Sequence, residues 1–217
     1  MPSITRTSSD FEENRAKVES AVYDAVRSLL DGGMKYTEIS VQKIISEAGI
    51  ARSTFYAHFR DKSDLLARLG SSLNKRFFDE ASSDAAEIWD AVASPDGLHS
   101  IARLLEGGIA RHRKHFSVLS AISETAAYDA AVRNFYTSDL EAFETRVVRD
   151  LEQRRSNGMT DSHLDPVLAG RIIVWGGEQA IAHHIATEDQ GRDAAFALEL
   201  ASMWWYGAYN RRITESR

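Results

Sequence analysis

The sequence predicts an all-α protein, on three observations. Apolar residues recur at spacings of three and four along most of the 217-residue chain, as helices with one buried face require. Only three prolines interrupt it, Pro2, Pro95 and Pro166. No segment alternates convincingly between apolar and polar residues with the period of two that a β-strand needs. We therefore expect about nine helices.

Caps and apolar stripes locate the first four helices. Ser9 and Glu12 have the spacing of a capping box. Ser40 is a suitable N-cap for the second helix, and Gly49 supplies a turn, because glycine adopts a positive φ at little cost. Asp61 can cap the fourth helix, whose apolar stripe runs on to Phe77. These signals predict helices over about residues 11–30, 41–48, 52–59 and 62–77.

The rest of the chain reads as further helices with a looser start. Ser94-Pro95-Asp96 and Asp165-Pro166 are helix starts with proline near the first turn, and Asn157-Gly158 stops a long helix. Gly176-Gly177 lies inside a helix, which indicates close helix approach, a ligand against the backbone or a kink. We expect a short helix or ordered loop at 84–93, and helices from about residue 96 and over 115–126, 128–155, 166–187 and 190–211.

Composition excludes several classes of protein. The chain has no cysteine, so it has neither a disulfide framework nor a thiolate metal site. No apolar run approaches the length of a membrane span, and the polar start lacks a signal-peptide core, so we expect a cytoplasmic protein. The net charge is −6, yet residues 1–62 hold nine basic and nine acidic side chains. The N-terminal segment is therefore neutral and the rest of the chain is acidic, a charge distribution that would orient the N-terminal segment towards a polyanion.

Residues 40–62 read as two short helices joined by a tight turn, which is how a helix-turn-helix presents a recognition helix to DNA. If Phe55 and Phe59 face a core, Ser53 and Ala57 point outwards at 100° per residue. Small residues at the centre of this face let a helix approach base edges closely. A serine hydroxyl can then bond a base, and an alanine methyl can touch a thymine methyl.

The other candidates for DNA contact surround this face. Arg52 lies in the first turn, where backbone N–H groups favour a phosphate. The predicted DNA-binding side chains are Ser40, Gln42, Lys43, Arg52, Ser53, Thr54, Tyr56, Ala57, His58 and Lys62. The alternative is an amphipathic helix pair inside a larger bundle, with an ordinary solvated face. On spacing alone the two interpretations are about equally good.

The segment resembles the TetR family of bacterial transcriptional regulators. The family's pattern is a hydroxyl N-cap, an apolar pair, Ala-Gly-apolar, then Thr-apolar-Tyr-x-His-Phe and a later Lys. The chain supplies Ser40, Ile44, Ile45, Ala48, Gly49, Ile50, Thr54, Phe55, Tyr56, His58, Phe59, Lys62, Leu65 and Leu66. Two positions depart: Ile45 replaces a usual Ala, and Ala51 stands where Ser or Thr often caps the recognition helix. Because Ala51 has no hydroxyl group, one expected phosphate contact is lost, and Arg52 or Ser53 would have to replace it.

The resemblance implies a repressor built from a flexible tail at 1–10, a DNA-binding domain at 11–61 and a ligand-binding and dimerisation domain at 62–217. Glu178-Gln179 and Trp204-Trp205-Tyr206 make the body similar to actinobacterial repressors related to the ethionamide-resistance regulator. Such proteins bind small hydrophobic ligands, and the residues predicted to line the cavity are Phe116, Phe135, Tyr136, Phe143, Trp175 and Glu178. For any single aromatic, plain core packing is the alternative.

The last helix is apolar on more than one side, which suggests a partner chain. One stripe contains Phe196, Leu200, Met203 and Gly207, and a second contains Leu198, Trp205 and Tyr209. The resemblance implies a homodimer through the last two helices. Its symmetry would match a palindromic double-stranded operator, with recognition helices about one DNA turn, roughly 34–36 Å, apart.

Two other functions stay open. An all-α enzyme could use the body cavity, although we find no nucleophile elbow, metalloprotease helix or phosphate loop in the sequence. A helical adaptor could bind protein in place of DNA. His112 with His115, and His183-His184, could contribute to a metal site, but no third ligand stands at a clear spacing. We therefore predict no catalytic residue, no metal site, no cofactor and no contact with a membrane.

Overall fold

The computed structural model describes residues 8–73 and 96–212, and every regular element within these ranges is helical. In chain order the helices are α1 (Ser8–Asp31), α2 (Val41–Ala48), α3 (Arg52–His58), α4 (residues 62–73), α5 (Gly97–Lys114), α6 (Phe116–Ala126), α7 (Ala130–Ser156), α8 (Pro166–Arg171), α9 (Gly177–Thr187) and α10 (Asp193–Trp204). The all-α prediction is confirmed. No helix in the described ranges is both long and apolar enough to cross a bilayer.

Most predicted helix boundaries agree with the structure to within about three residues, the usual scatter of helix ends. The segment predicted at 84–93, the start Ser94-Pro95 and Phe77 lie outside the described residues. Short 3₁₀ turns at Tyr36–Glu38 and Gln190–Arg192 were not predicted. The helix predicted over 166–187 is continuous but contains a five-residue π-helical turn, Ile172–Gly176. A second π turn, Trp205–Tyr209, extends α10.

The described parts of Met1–Leu73 and Ser117–Tyr136 form one compact unit, and those of Asn74–Phe116 and Thr137–Arg217 form another. The core of the first unit contains Phe59, the residue after α3, and residues from six helices: Val22, Val26, Leu29, Ile44, Ile45, Phe55, Leu65, Leu66, Val118, Ile122 and Val132. It therefore includes α6 and the start of α7 as well as the segment predicted to bind DNA. A Cβ on Gly70 of α4 would overlap the Phe135 ring, so these helices approach closely.

A polar contact also joins α4 to the start of α7 inside this unit. Ser63 Oγ donates a hydrogen bond to Asp129 Oδ2. The other oxygen of Asp129 accepts the N–H groups of Ala131 and Val132, at 2.9 and 3.1 Å, and so caps α7. The Ser63 hydroxyl first, and then these N–H groups, hold the pKa of Asp129 below its usual range.

In the second unit α10 packs against α5, and α9 also contacts α5. Its core includes Ile101, Leu105 and Ile109 of α5, Val147 and Leu151 of α7, Ile173, Val174, Leu200, Ala201 and Tyr209. Arg154 is buried in the same unit between two aromatic rings, 5.5 Å from the Trp205 ring centroid and 5.3 Å from that of Tyr209. Its Nη1 donates to the carbonyl oxygen of Tyr209 at 3.2 Å, which secures the π turn that ends α10.

The two adjacent glycines at the π turn have different surroundings. A Cβ on Gly177 would lie 2.6 Å from Cζ2 of Trp204, whereas a Cβ on Gly176 would meet nothing within 4 Å. Close helix approach therefore explains Gly177, and the π turn ends at Gly176. We expect Gly177→Ala to destabilise the second unit by about 1–3 kcal/mol, because the new methyl group overpacks a rigid indole ring.

Gly176→Ala is the matched control. Both glycines have helical backbone angles, so alanine at 176 should stabilise the protein by up to about 1 kcal/mol through helix propensity. Urea unfolding followed by circular dichroism measures both changes. Equal effects of the two substitutions would contradict the proposed role of the Trp204 contact.

Candidate nucleic-acid interface

The backbone of the predicted helix-turn-helix follows the local signals of the sequence. Ser40 Oγ accepts a hydrogen bond from the N–H of Lys43 at 3.2 Å, so Ser40 is the N-cap of α2. Gly49 has a φ of 65°, the left-handed conformation that the turn before α3 requires. Ala51 occupies the N-cap position of α3 and gives no side-chain cap.

Two phenyl rings anchor α3 to the core of the first unit. Phe55 and Phe59 are both fully buried, and their ring centroids are 5.4 Å apart. The sequence predicted that α3 would end at Phe59. In the structure α3 ends at His58, and the backbone of Phe59 is extended. The inward direction of both rings is as predicted. It decides which face α3 presents to solvent.

The outward face of α3 is made of small and polar side chains. Ser53 and Ala57 are exposed at its centre, and Tyr56 on the flank is 47% exposed. The Arg52 guanidinium lies 5.5 Å from the Tyr56 ring centroid, in a cation–π arrangement. Thr54 and His58 are half-buried. The helix is therefore accessible along the surface that the sequence predicted.

Further exposed polar and basic side chains occur on α2 and α3. Gln42 and Lys43 are exposed in the first turn of α2. Within the described residues neither Lys43 nor Arg52 forms an ion pair, so both can be attracted to a phosphate. Arg60 differs, because its Nε lies 3.3 Å from a carboxylate oxygen of Asp61.

Lys62 is held by a tyrosine that sequence analysis missed. The Lys62 ammonium donates to the carbonyl oxygen of Tyr36 at 2.7 Å and lies 4.6 Å from the Tyr36 ring centroid. In return the Tyr36 hydroxyl donates to the carbonyl oxygen of Lys62 at 2.6 Å. Burial lowers the pKa of Lys62 from its ordinary value. The residues lie 26 positions apart, and no local pattern marks the pair.

The structure places the six predicted ligand-binding residues in different surroundings. Phe135 and Tyr136 pack against the core of the first unit. Phe116, Phe143 and Trp175 pack against the core of the second. Trp175 Nε1 donates to Glu144 at 2.7 Å, and Glu178 accepts a hydrogen bond from its neighbour Gln179 at 2.7 Å. The set as a whole stays a prediction.

The second unit contains an open groove of about 780 Å³ along α7 and α8. Of the six predicted ligand-binding residues, only Trp175 lines it. The lining residues are Glu141, Glu144, Thr145, Val148, Arg149, Glu152, Val167, Arg171 and Trp175. Carboxylates and guanidinium groups alternate with a few apolar side chains, so this groove is more polar than the apolar cavity that was predicted.

A buried polar cluster in the second unit was also missed by sequence analysis. Arg113 donates two hydrogen bonds to the Asp193 carboxylate, at 2.6 and 3.1 Å, and a ring nitrogen of His184 lies 2.9 Å from the same carboxylate. The His184 ring stacks on Phe196 with centroids 4.1 Å apart. Hydrogen bonds from Arg113, and then from His184, hold the pKa of Asp193 below its usual range. The cluster joins α5, α9 and α10.

Two of the other histidines differ in burial. Burial lowers the pKa of His112 to about 4, which keeps its imidazole neutral at pH 7. His183, next to His184 in sequence, is exposed. In the part of the chain that the structure describes, no group of three or more His, Asp or Glu side chains is placed to hold a metal ion.

Residues 25–69 match the family model for bacterial regulatory proteins of the tetR family. This stretch covers the last seven residues of α1, all of α2 and α3, and α4 up to Leu69. A search of curated proteins finds no match to the chain. The family match therefore rests on the same segment in which α2 and α3 form a helix-turn-helix and α3 has an exposed face.

Solved structures share the fold over most of the chain. One is described as a TetR-family transcriptional regulator from Mesorhizobium loti, with 16% identity, a TM-score of 0.65, and coverage of 93% of this chain and 98% of that one. FadR from Bacillus subtilis, in complex with stearoyl-CoA, has 16% identity, a TM-score of 0.65, and coverage of 87% and 96%. The fatty acid degradation regulator FadR from Bacillus halodurans has 18% identity, a TM-score of 0.66, and coverage of 91% and 97%.

Proposed function

We propose that this chain, which belongs to the tetR family of bacterial regulatory proteins, is a ligand-responsive dimeric repressor of transcription. The model of that family matches residues 25–69. The chain binds a palindromic operator through α3 and is released by a small hydrophobic ligand. The role is binding, not catalysis. The observation that carries the proposal is the orientation of α3, whose two phenyl rings are buried and whose Ser53 and Ala57 are exposed.

The side chains of α2 and α3 suit two kinds of DNA contact. Ser53, Thr54 and Ala57 reach base edges in the major groove, where small side chains permit a close approach. Ser40, Gln42, Lys43, Arg52, Tyr56, His58 and Lys62 surround them and contact the sugar–phosphate backbone, which positions the helix. Base contacts then carry the sequence preference, and the basic residues carry the salt dependence.

The second unit supplies the surface for a homodimer. Large apolar side chains are exposed on the last helices: Val167, Leu168, Ile172, Leu198, Met203 and Tyr206. Ile172 and Met203 are 72% and 71% exposed. Exposure of such large apolar side chains to water is unfavourable in free energy. A two-fold interface through α8 to α10 would bury them against the same residues of a second copy. Such symmetry matches two operator half-sites.

The ligand is proposed to be an apolar chain with a polar end. The FadR structure from Bacillus subtilis contains stearoyl-CoA, and this chain shares its fold. Within the second unit, Phe116, Phe143 and Trp175 supply apolar surface, and Glu178 supplies a polar group. A ligand that favours one arrangement of the body by about 1–3 kcal/mol would change operator affinity several-fold or more.

Ala57→Glu tests the proposed recognition face directly. Operators are selected from a random duplex pool with the wild-type protein, and affinity is then measured by fluorescence anisotropy at several salt concentrations. We expect Ala57→Glu to weaken binding by about 100-fold or more, because a carboxylate facing DNA brings like charges together at a cost of several kcal/mol. Folding should be unchanged, since position 57 is exposed.

Gln153→Glu is the control with the same change in charge, at an exposed position of α7. It should bind the selected operator about as tightly as the wild type. Equal losses in the two variants would mean that net charge alone matters and would contradict the assignment of the face. A wild-type protein that selects no sequence from the pool at any salt concentration would overturn the proposed function.

A further inference from the structure

The first residue of α4 and the 3₁₀ turn before α2 hold each other through two hydrogen bonds in opposite directions. Tyr36 Oη donates to the main-chain carbonyl oxygen of Lys62, and Lys62 Nζ donates to that of Tyr36. Each side chain therefore reaches the main chain of the other residue. The ammonium also lies against the face of the phenol ring, at 4.6 Å from the centroid.

The two residues differ in access to solvent. Tyr36 is 4% exposed and belongs to the core of the first unit, while Lys62 is half-buried at its surface. The tyrosine cannot reach a duplex itself. It can, however, restrict where the lysine ammonium lies: its hydroxyl holds the Lys62 main chain, from which the side chain extends, and its ring packs against the ammonium. A long lysine side chain otherwise samples many rotamers.

We propose that Tyr36 is a positioning residue for DNA binding, which orients the Lys62 ammonium towards an operator phosphate. The inference rests on the proposed function. An ammonium has three N–H donors, and the Tyr36 carbonyl takes one of them, so Lys62 can bond a phosphate oxygen at the same time. A lysine already held in the bound rotamer loses less conformational entropy on binding, which raises affinity without adding a contact.

The same pair joins the 3₁₀ turn before α2 to the first residue of α4. Tyr36 precedes the α2 N-cap, Ser40, and Lys62 begins α4 four positions after His58, the last residue of α3. Phosphate contacts from the first turn of α2 and from Lys62 would lie on either side of the recognition helix. Loss of the Tyr36 hydroxyl should therefore affect phosphate contacts and leave the choice of bases unchanged.

The test is a double-mutant cycle with the full-length protein and an operator selected from a random duplex pool. Tyr36→Phe removes only the hydroxyl, and Lys62→Met removes the charge. We expect Lys62→Met to weaken binding by about tenfold and to reduce the slope of log affinity against log salt by about 0.9, the value for one phosphate contact. Tyr36→Phe should weaken binding by about three- to tenfold and leave the ranking of operator sequences unchanged.

The decisive result is the double variant. If Tyr36 acts through Lys62, adding Tyr36→Phe to Lys62→Met should cause no further loss of affinity. An independent, merely structural role would lower affinity by the same factor in both backgrounds and would overturn the inference. Tyr128→Phe, which alters an exposed tyrosine of the same unit, should bind as the wild type does.

Stability is measured in parallel, because Tyr36 is buried. If Tyr36→Phe does not fold, Lys62→Arg replaces it in the test: a guanidinium has a different shape and should lose affinity despite an unchanged charge. Full affinity of that variant would overturn the inference. Failure of the wild type to select any operator would overturn the proposed function, and the inference with it. Normal wild-type binding with an unaffected Tyr36→Phe would overturn the inference alone.

Discussion

Replacing Phe59 with alanine should destabilise the first unit by about 3–5 kcal/mol, the usual cost of removing a fully buried phenyl ring. The Phe59 ring has no exposed surface, lies 5.4 Å from the Phe55 ring and 6.2 Å from the Tyr23 ring, and has the Arg68 guanidinium 5.8 Å from its centroid. Alanine would leave a cavity where α3, α1 and α4 meet. Urea unfolding gives the change in free energy, and anisotropy gives the loss of operator binding.

Tyr56→Ala separates stability from recognition on the same helix. Tyr56 is 47% exposed and packs edge-on against Phe55, with centroids 5.3 Å apart. Its removal should change the free energy of unfolding by less than about 1 kcal/mol. Operator affinity should nevertheless fall, because Tyr56 is proposed to contact the DNA backbone. If Phe59→Ala were as stable as Tyr56→Ala, the buried ring would not anchor α3.

Arg113→Ala should cost about 3 kcal/mol in the second unit, because it leaves the buried Asp193 carboxylate without its main partner. Arg113 also donates to the carbonyl oxygen of Glu188 at 3.1 Å, so the substitution frees one end of the loop between α9 and α10. Arg103→Ala is the control. Arg103 pairs with Asp96 at 3.8 Å, and both side chains are more than 60% exposed, so the cost should stay below about 1 kcal/mol.

The pH dependence of this effect has a definite sign. Arg113, followed by His184, lowers the pKa of Asp193 in the folded protein. A lowered carboxyl pKa stabilises the fold above the unfolded value of about 3.9, and this contribution is lost as the pH falls through the folded value. The difference between wild type and Arg113→Ala should therefore be largest near neutral pH and shrink below about pH 4. A difference that grew on acidification would contradict the assigned ion pair.

Local signals were enough to predict the helix-turn-helix. The N-cap Ser40, the left-handed Gly49 and the helical spacing of Phe55 and Phe59 each depend on residues within a turn or two of one another. Tyr36 with Lys62, and Arg113 with Asp193, are 26 and 80 positions apart. Their pairing depends on how helices pack, which no local pattern encodes.

The body illustrates the same limit for aromatic residues. Spacing indicates that Phe135 and Phe143 are partly buried on α7, but it does not indicate which core receives them. They lie eight positions apart on one helix and pack against different clusters. The π turn Ile172–Gly176 could not be predicted from the sequence either, because one extra residue per turn does not change the amino-acid composition of a helix.

The first unit draws on two separate stretches of sequence, which limits how the protein can be cut or recombined. A fragment that ends at residue 73 would lose Val118, Ile122 and Val132 from its core, together with the Asp129 partner of Ser63. The apolar sides of α1 and α4 would then face water. A chimera that transfers operator preference from this chain to another regulator should therefore carry residues 117–136 along with the N-terminal segment. The N-terminal segment alone is not an independent folding unit.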